Sequence, residues 1–293
     1  MPRLTAALRG VLGGSVRPIA NLAGVRVGGE EPVRLMAALN VSPESFYRGS
    51  IGLDAAALRD AAQRAVAEGA DLIDIGARST APYGRQTVEL DEEVRRMTWA
   101  VDAVARAVSV PISADTTRAA VVAAALSAGA RLVNDVSGLR ADVAMADLAA
   151  QADGVVLMAA PDGGADAPPI ELVRRALADS LRRARAAGIA DDEIVLDPGI
   201  GFFVDAGVAP TAFNLTILQR LASLAELGRP LLVGVSRKRF IGELTGRRAV
   251  DQRLYGSLAA TTVAVLNGAS IVRTHDVAAT RDAVRVARAL REL

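Results

Sequence analysis

From residue 33 onward one pattern recurs: a short run of Val, Ile and Leu, a polar or glycine-containing turn, then an Ala/Arg/Leu stretch with helical spacing. Eight apolar runs carry it, at residues 33–39, 72–75, 110–113, 132–136, 155–158, 194–196, 231–235 and 270–273. They lack the polar/apolar alternation of a half-exposed sheet and suit strands buried on both faces, as in a parallel sheet. Eight strand–helix units with no long linker between them predict an α/β protein, a (β/α)8 barrel over residues 33–293. An open doubly wound sheet is the alternative, but no glycine-rich dinucleotide fingerprint follows the first run.

Residues 1–32 precede the repeat and carry Arg3, Arg9, Arg17 and Arg26 with no acid before Glu30. That bias has the flavour of a transit peptide, without the continuous apolar stretch of a secretion signal. An N-terminal extension that caps the barrel, or forms a small hairpin on it, is the stronger expectation. The hydrophobic fraction is 51% but aromatics are only 3%, so the core must be built from Ala, Val, Leu and Ile. With no cysteine, disulfides, zinc–thiolate sites and thiol nucleophiles are excluded, and a cytoplasmic location is expected. A net charge of +1 is too balanced for a nucleic-acid binder that works by bulk charge. No apolar run approaches the roughly 18 residues of a membrane span, so no membrane partner is expected.

Barrels of this kind place their active sites at the C-terminal ends of the strands. Here those ends carry Asn40, Asp74, Asp115-Thr116, Asn134-Asp135, Met158, Asp197-Pro198-Gly199, Lys238, and Arg273 with His275. Each alone has a structural reading as a turn or a helix cap, but their gathering at one rim serves no structural need. Lys238 is the only lysine in a chain that otherwise writes Arg, at a place where a compact ammonium differs from a planar fork. Asp115, Asn134 and Asp197 supply acceptors suited to a flat ring with several N–H groups, such as a 2-amino-pyrimidinone. Lys238, Arg273 and His275 supply donors and positive charge suited to a phosphate or carboxylate. A single histidine rules out the multi-histidine metal cluster of barrel hydrolases, while Asn40 could place an oxygen on a hard cation such as Mg²⁺.

At these residues the chain resembles the dihydropteroate synthase family. The segment Asn40-Val41-Ser42-Pro43-Glu44-Ser45-Phe46 is similar to that family's Asn-Val-Thr-Pro-Asp-Ser-Phe loop. Asp74-Ile75-Gly76 with Ser79-Thr80-Ala81-Pro82, Asp115-Thr116, Asn134-Asp135, Asp197-Pro198-Gly199, Ser236-Arg237-Lys238 and Arg273-Thr274-His275-Asp276 follow in the family's order. The resemblance implies transfer of the exocyclic CH₂ of 6-hydroxymethyl-7,8-dihydropterin pyrophosphate to p-aminobenzoate, with release of pyrophosphate. It implies that Asp115, Asn134, Met158, Asp197 and Lys238 bind the pterin. Asn40, Arg273 and His275 would hold pyrophosphate, with Mg²⁺ as cofactor on Asn40. Phe46, Thr80, Pro82, Lys238 and Arg239 would frame p-aminobenzoate, and Asp115, Lys238, Asn40 and His275 would carry the chemistry. A homodimer is the expected assembly. A pterin-dependent methyltransferase acting on a corrinoid protein, or a non-catalytic pterin-binding barrel, are the alternatives.

The chain departs from the family pattern in its loops. Arg78-Ser79-Thr80-Ala81-Pro82-Tyr83 stands where Glu-Ser-Thr-Arg-Pro-Gly is common, and Arg78 and Arg85 are the candidates to replace the missing loop arginine. Tyr47-Arg48-Gly49 replaces Ser-Asp-Gly, and Met158-Ala159 replaces Met-His.

Overall fold

A computed structural model describes residues 18–41, 54–79, 88–161 and 167–291. Strands β1 (Ile19–Leu22) and β2 (Val25–Gly28) form an antiparallel hairpin. Eight parallel strands then close a barrel: β3 (Arg34–Asn40), β4 (Leu72–Gly76), β5 (Ile112–Asp115), β6 (Leu132–Asp135), β7 (Val155–Met158), β8 (Ile194–Asp197), β9 (Leu231–Gly234) and β10 (Ala269–Thr274). They neighbour one another in chain order, and β10 pairs with β3 to complete the ring. Helices α1 (Ala55–Ala67), α2 (Leu90–Ala105), α3 (Ala119–Ala128), α4 (Met145–Ala149), α5 (Pro169–Ala186), α6 (Pro210–Arg220), α7 (Arg239–Thr245), α8 (Leu254–Leu266) and α9 (Val277–Arg291) alternate with them. None of the described helices is long and apolar enough to cross a membrane.

The uninterrupted apolar runs are explained by burial on both faces: every residue of β4, β5, β6, β7 and β9 is buried. Because side chains alternate along a strand, Ile73 and Ile75 pack outward against Leu58, Met97 and Val101, and the residues between them face the barrel axis. Met36, Leu72, Leu132, Val156, Val195, Leu232 and Ile271 form an apolar inner layer, sealed from below by Ala20, Leu22 and Val27 of the hairpin. One alternation higher, the same strands present Asp74, Asn134, Met158, Asp197 and Arg273. The layer of charge therefore rests on a closed apolar floor.

The third strand differs from the sequence expectation by two residues. It begins at Ile112 rather than at residue 110 and runs through Asp115, because Pro111 has no N–H to give to the ladder and offers only its carbonyl, to Ile73 N (3.1 Å).

Candidate active site

The polar layer is knitted across the barrel rather than along it. Arg273 Nε on β10 donates to Asp74 Oδ2 on β4 (2.6 Å), and its Nη2 donates to Asp115 Oδ2 on β5 (3.0 Å). Asn134 on β6 donates from Nδ2 to the same Asp74 oxygen (3.2 Å). Asp74 is 0% exposed and Asp115 6%, and their second oxygens, both Oδ1, are buried without a hydrogen-bond partner among the described residues. Orphaned buried acceptors are rare in folded proteins and imply donors supplied from elsewhere. Burial, followed by the neighbouring Asp74, raises the Asp115 pKa to about 7 against the pull of Arg273. Burial alone would lower the pKa of Arg273, but Asp74 and Asp115 outweigh it and hold the guanidinium cationic.

Lys238 enters from the seventh barrel strand through a turn that only a strained residue permits. Arg237 adopts φ of 56°, in the left-handed region. It is held there by Ser257 Oγ, which accepts from its N–H (2.8 Å), and by two hydrogen bonds from its guanidinium to Asp276 (2.9 and 2.5 Å). The turn carries Lys238 inward, where Nζ donates to the Ile200 carbonyl and stands 5.0 Å from the centre of the Phe202 ring. Gly201 makes room: a Cβ there would stand 2.9 Å from Lys238 Cδ, on a backbone at φ +89°. Burial lowers the Lys238 pKa to about 8, although Asp197 opposes the shift. Asp197 is raised by the same burial and lowered by Lys238, and its Oδ1 accepts from Gly199 N (2.8 Å).

On the outer side of this pair the His275 ring bridges two strand ends. Ser236 Oγ lies 3.0 Å from Nδ1, and Asn40 Nδ2 lies 3.4 Å from Nε2. The residue is exposed to solvent. Crowding by the rim, and next the Arg273 cation, push its pKa down to about 4, so the imidazole is neutral at pH 7.

Of the residues singled out in the sequence, Asn40, Asp115, Asn134, Met158, Asp197, Lys238, Arg273 and His275 come together at one end of the barrel. Arg239 is exposed and pairs with Glu243 (2.7 Å). Phe46, Thr80 and Pro82 lie outside the described residues. Arg78, one candidate to replace the loop arginine, donates instead to buried Glu93 (3.0 Å) and to Thr117 Oγ1 (3.0 Å). Two residues left without a role by the sequence pattern also belong here. Asp74 was visible as an acid inside an apolar run, whereas Ser236 carried no signal beyond its place before Arg237-Lys238. No group of three or more His, Asp or Glu among the described residues could hold a metal by itself.

The pattern of a family described as "Pterin binding enzyme" matches residues 36–275. The dihydropteroate synthase of Synechocystis sp. is 38% identical over 265 residues, 87% of this chain and 89% of that protein. The Xanthomonas albilineans dihydropteroate synthase solved with 4-aminobenzoic acid is 39% identical, with a TM-score of 0.84 covering 94% of this chain and 99% of that one. The same enzyme in complex with 7,8-dihydropteroate gives 38% identity and a TM-score of 0.81 over 94% of this chain and 100% of that one. A barrel whose polar layer offers ring acceptors on one side and cations on the other, matched along nearly its whole length, belongs to the dihydropteroate synthase family of pterin-binding enzymes.

Proposed function

We propose that the polar layer condenses 6-hydroxymethyl-7,8-dihydropterin pyrophosphate with p-aminobenzoate, giving 7,8-dihydropteroate and pyrophosphate. The observation that carries the reading is the pair of orphaned oxygens on Asp74 and Asp115: a 2-aminopterin edge brings the N–H donors that these acceptors lack. Asn134, Met158, Asp197 and Lys238 complete the pterin pocket, with Met158 packing on the ring. Asn40, His275 and Arg273 face the pyrophosphate.

The residues then divide the work by charge. Departure of pyrophosphate leaves positive charge on the pterin methylene, and the Asp115 carboxylate beside it stabilises that charge as it develops. Arg273, fixed by Asp74, stabilises the leaving anion. The amine of p-aminobenzoate attacks the methylene carbon, the C–N bond replaces the C–O bond to pyrophosphate, and the amine proton passes to solvent. No protein nucleophile is needed. Mg²⁺ fits the donor set: Asn40 offers one amide oxygen, and this ion characteristically keeps its waters and the phosphates of its substrate. Asn40 would hold it, and when bound it would neutralise charge on the leaving group. Transfer of a methyl group to a corrinoid protein has no use for the Arg273 cation and the His275 imidazole at the anion side.

The same reading places the protein in the cytoplasm as a homodimer, with residues 1–32 as the barrel's N-terminal cap. Exposed Val263 and Leu266 on α8 and Val286 and Leu290 on α9 support pairing through the C-terminal helices. The test of function is pyrophosphate release from dihydropterin pyrophosphate and Mg²⁺, with and without p-aminobenzoate, and mass detection of the pterin product. Release that depends on p-aminobenzoate and yields dihydropteroate is expected; tight pterin binding without coupled product would overturn the reading.

A further inference from the structure

One carboxylate, two guanidiniums and a hydroxyl meet just behind the polar layer, where α2 crosses the ends of β4 and β5. Glu93, in the first turn of α2, is 0% exposed. Its Oε1 accepts from Thr116 Oγ1 (2.8 Å), and its Oε2 accepts from Arg78 Nε (3.0 Å) and stands 3.0 Å from Arg118 Nη1. Two of these arms, Thr116 and Arg78, end beside the site. Thr116 directly follows Asp115, and its N–H donates to the Asn134 carbonyl (3.2 Å). Arg78 stands two residues beyond Gly76, where a Cβ would be only 3.7 Å from Asp115 Oδ2, and it donates from Nη2 to Thr117 Oγ1 (3.0 Å). Arg118 Nη1 also donates to the Val88 carbonyl (2.8 Å).

Packing alone gives little reason for this arrangement. Taking a carboxylate such as Glu93 out of water is costly, and apolar replacement of buried ion pairs is often neutral or stabilising. The partners of Glu93 are the residue next to Asp115 and a cation whose field reaches it: Arg78 is among the groups that pull the Asp115 pKa down, against burial, Asp74 and Asp135, alongside Arg273.

We propose that Glu93 is a positioning residue for Asp115: through Thr116 it sets where the carboxylate stands, and through Arg78 it fixes a cation beside it. The inference rests on the role in the chemical step given to Asp115 above. The test compares Glu93→Gln, Asp115→Asn and the double variant by steady-state turnover, by titration with dihydropterin pyrophosphate in the absence of p-aminobenzoate, and by melting temperature. Glu93→Gln keeps the shape and removes the charge. It is expected to lower kcat about tenfold or more, to leave pterin affinity unchanged, and to add nothing in the Asp115→Asn background, since residues acting as a unit are not additive. A lower melting temperature with intact kcat, or effects that multiply in the double variant, would reduce Glu93 to a structural group and overturn the inference. If Asp115→Asn is slow and Glu93→Gln is not, the inference alone falls; if Asp115→Asn turns over at the wild-type rate, the role given to Asp115 falls and takes the inference with it. Should Glu93→Gln fail to fold, Thr116→Val carries the test by removing only the hydroxyl that Glu93 accepts from. A smaller loss of kcat with the same non-additivity is expected, and intact kcat overturns the inference.

Discussion

Residue identity matters most where one side chain is alone of its kind. His275 is the single histidine of the chain, so one imidazole reports on the anion side without assignment. Its pKa is pushed down to about 4 by the crowding of rim atoms around the ring and by the Arg273 cation; an anion beside the ring should reverse the second effect and favour the imidazolium. Titration of the imidazole resonances by NMR is expected to show a neutral ring down to about pH 4 in the free protein and an upward shift in pKa when pyrophosphate is added with Mg²⁺. An unmoved pKa at saturating pyrophosphate would remove His275 from the anion side. Lys238 is equally singular, and its isolation among arginines made it legible in the sequence alone. Glu93 was not legible: its partners Arg78, Thr116 and Arg118 lie up to 25 positions away, and nothing in Leu90-Asp91-Glu92-Glu93 distinguishes the buried acid from exposed Asp91 and half-buried Glu92. The buried partner of Arg78 was not legible either, since it lies 15 positions away on another element.

Elements were more legible than contacts, because a parallel barrel imposes the same requirement on every strand. Burial on both faces leaves runs of Val, Ile and Leu that stand out from the intervening amphipathic helices, and the bounds shifted appreciably only where Pro111 withholds an N–H. The hairpin was expected in kind, as one form an N-terminal cap could take, but without bounds. Its strands are four residues each, too short to show a period, and their apolar residues acquire meaning only from the barrel floor they cover. Leu22 is 0% exposed within that floor. Leu22→Ala is expected to destabilise the fold by about 2–5 kcal/mol in chemical denaturation, with turnover unchanged under native conditions, because the lost volume lies beneath the apolar layer and away from the reacting groups. A fall in kcat without loss of stability would show instead that the floor transmits strain to the charges above it.

At the scale of the whole molecule, the barrel holds its charges against the preference of its own interior, and stability should record this as a function of pH. In acid, opposing contributions overlap. Asp115, raised to about 7, binds more protons in the folded than in the unfolded state, so its contribution falls as pH rises from about 4 to 7. His275, lowered to about 4, binds fewer, so its contribution rises from about 4 to 6.5. The alkaline side isolates Lys238. Its pKa is lowered from 10.5 to about 8 by burial, so between those values the unfolded chain holds a proton that the folded chain has released, and stability rises with pH across that window. Below about pH 8 the buried ammonium is carried at a cost to the fold, as groups kept for function commonly are. Lys238→Met, which keeps an unbranched side chain one atom shorter and loses the charge, is therefore expected to melt above the wild type at pH 7, to lose the alkaline rise, and to lose turnover. Melting curves at intervals from pH 7 to 10.5 make the comparison directly. Parallel profiles for the two proteins would mean that Lys238 is solvated at the rim and does not pay for its place in the pterin pocket.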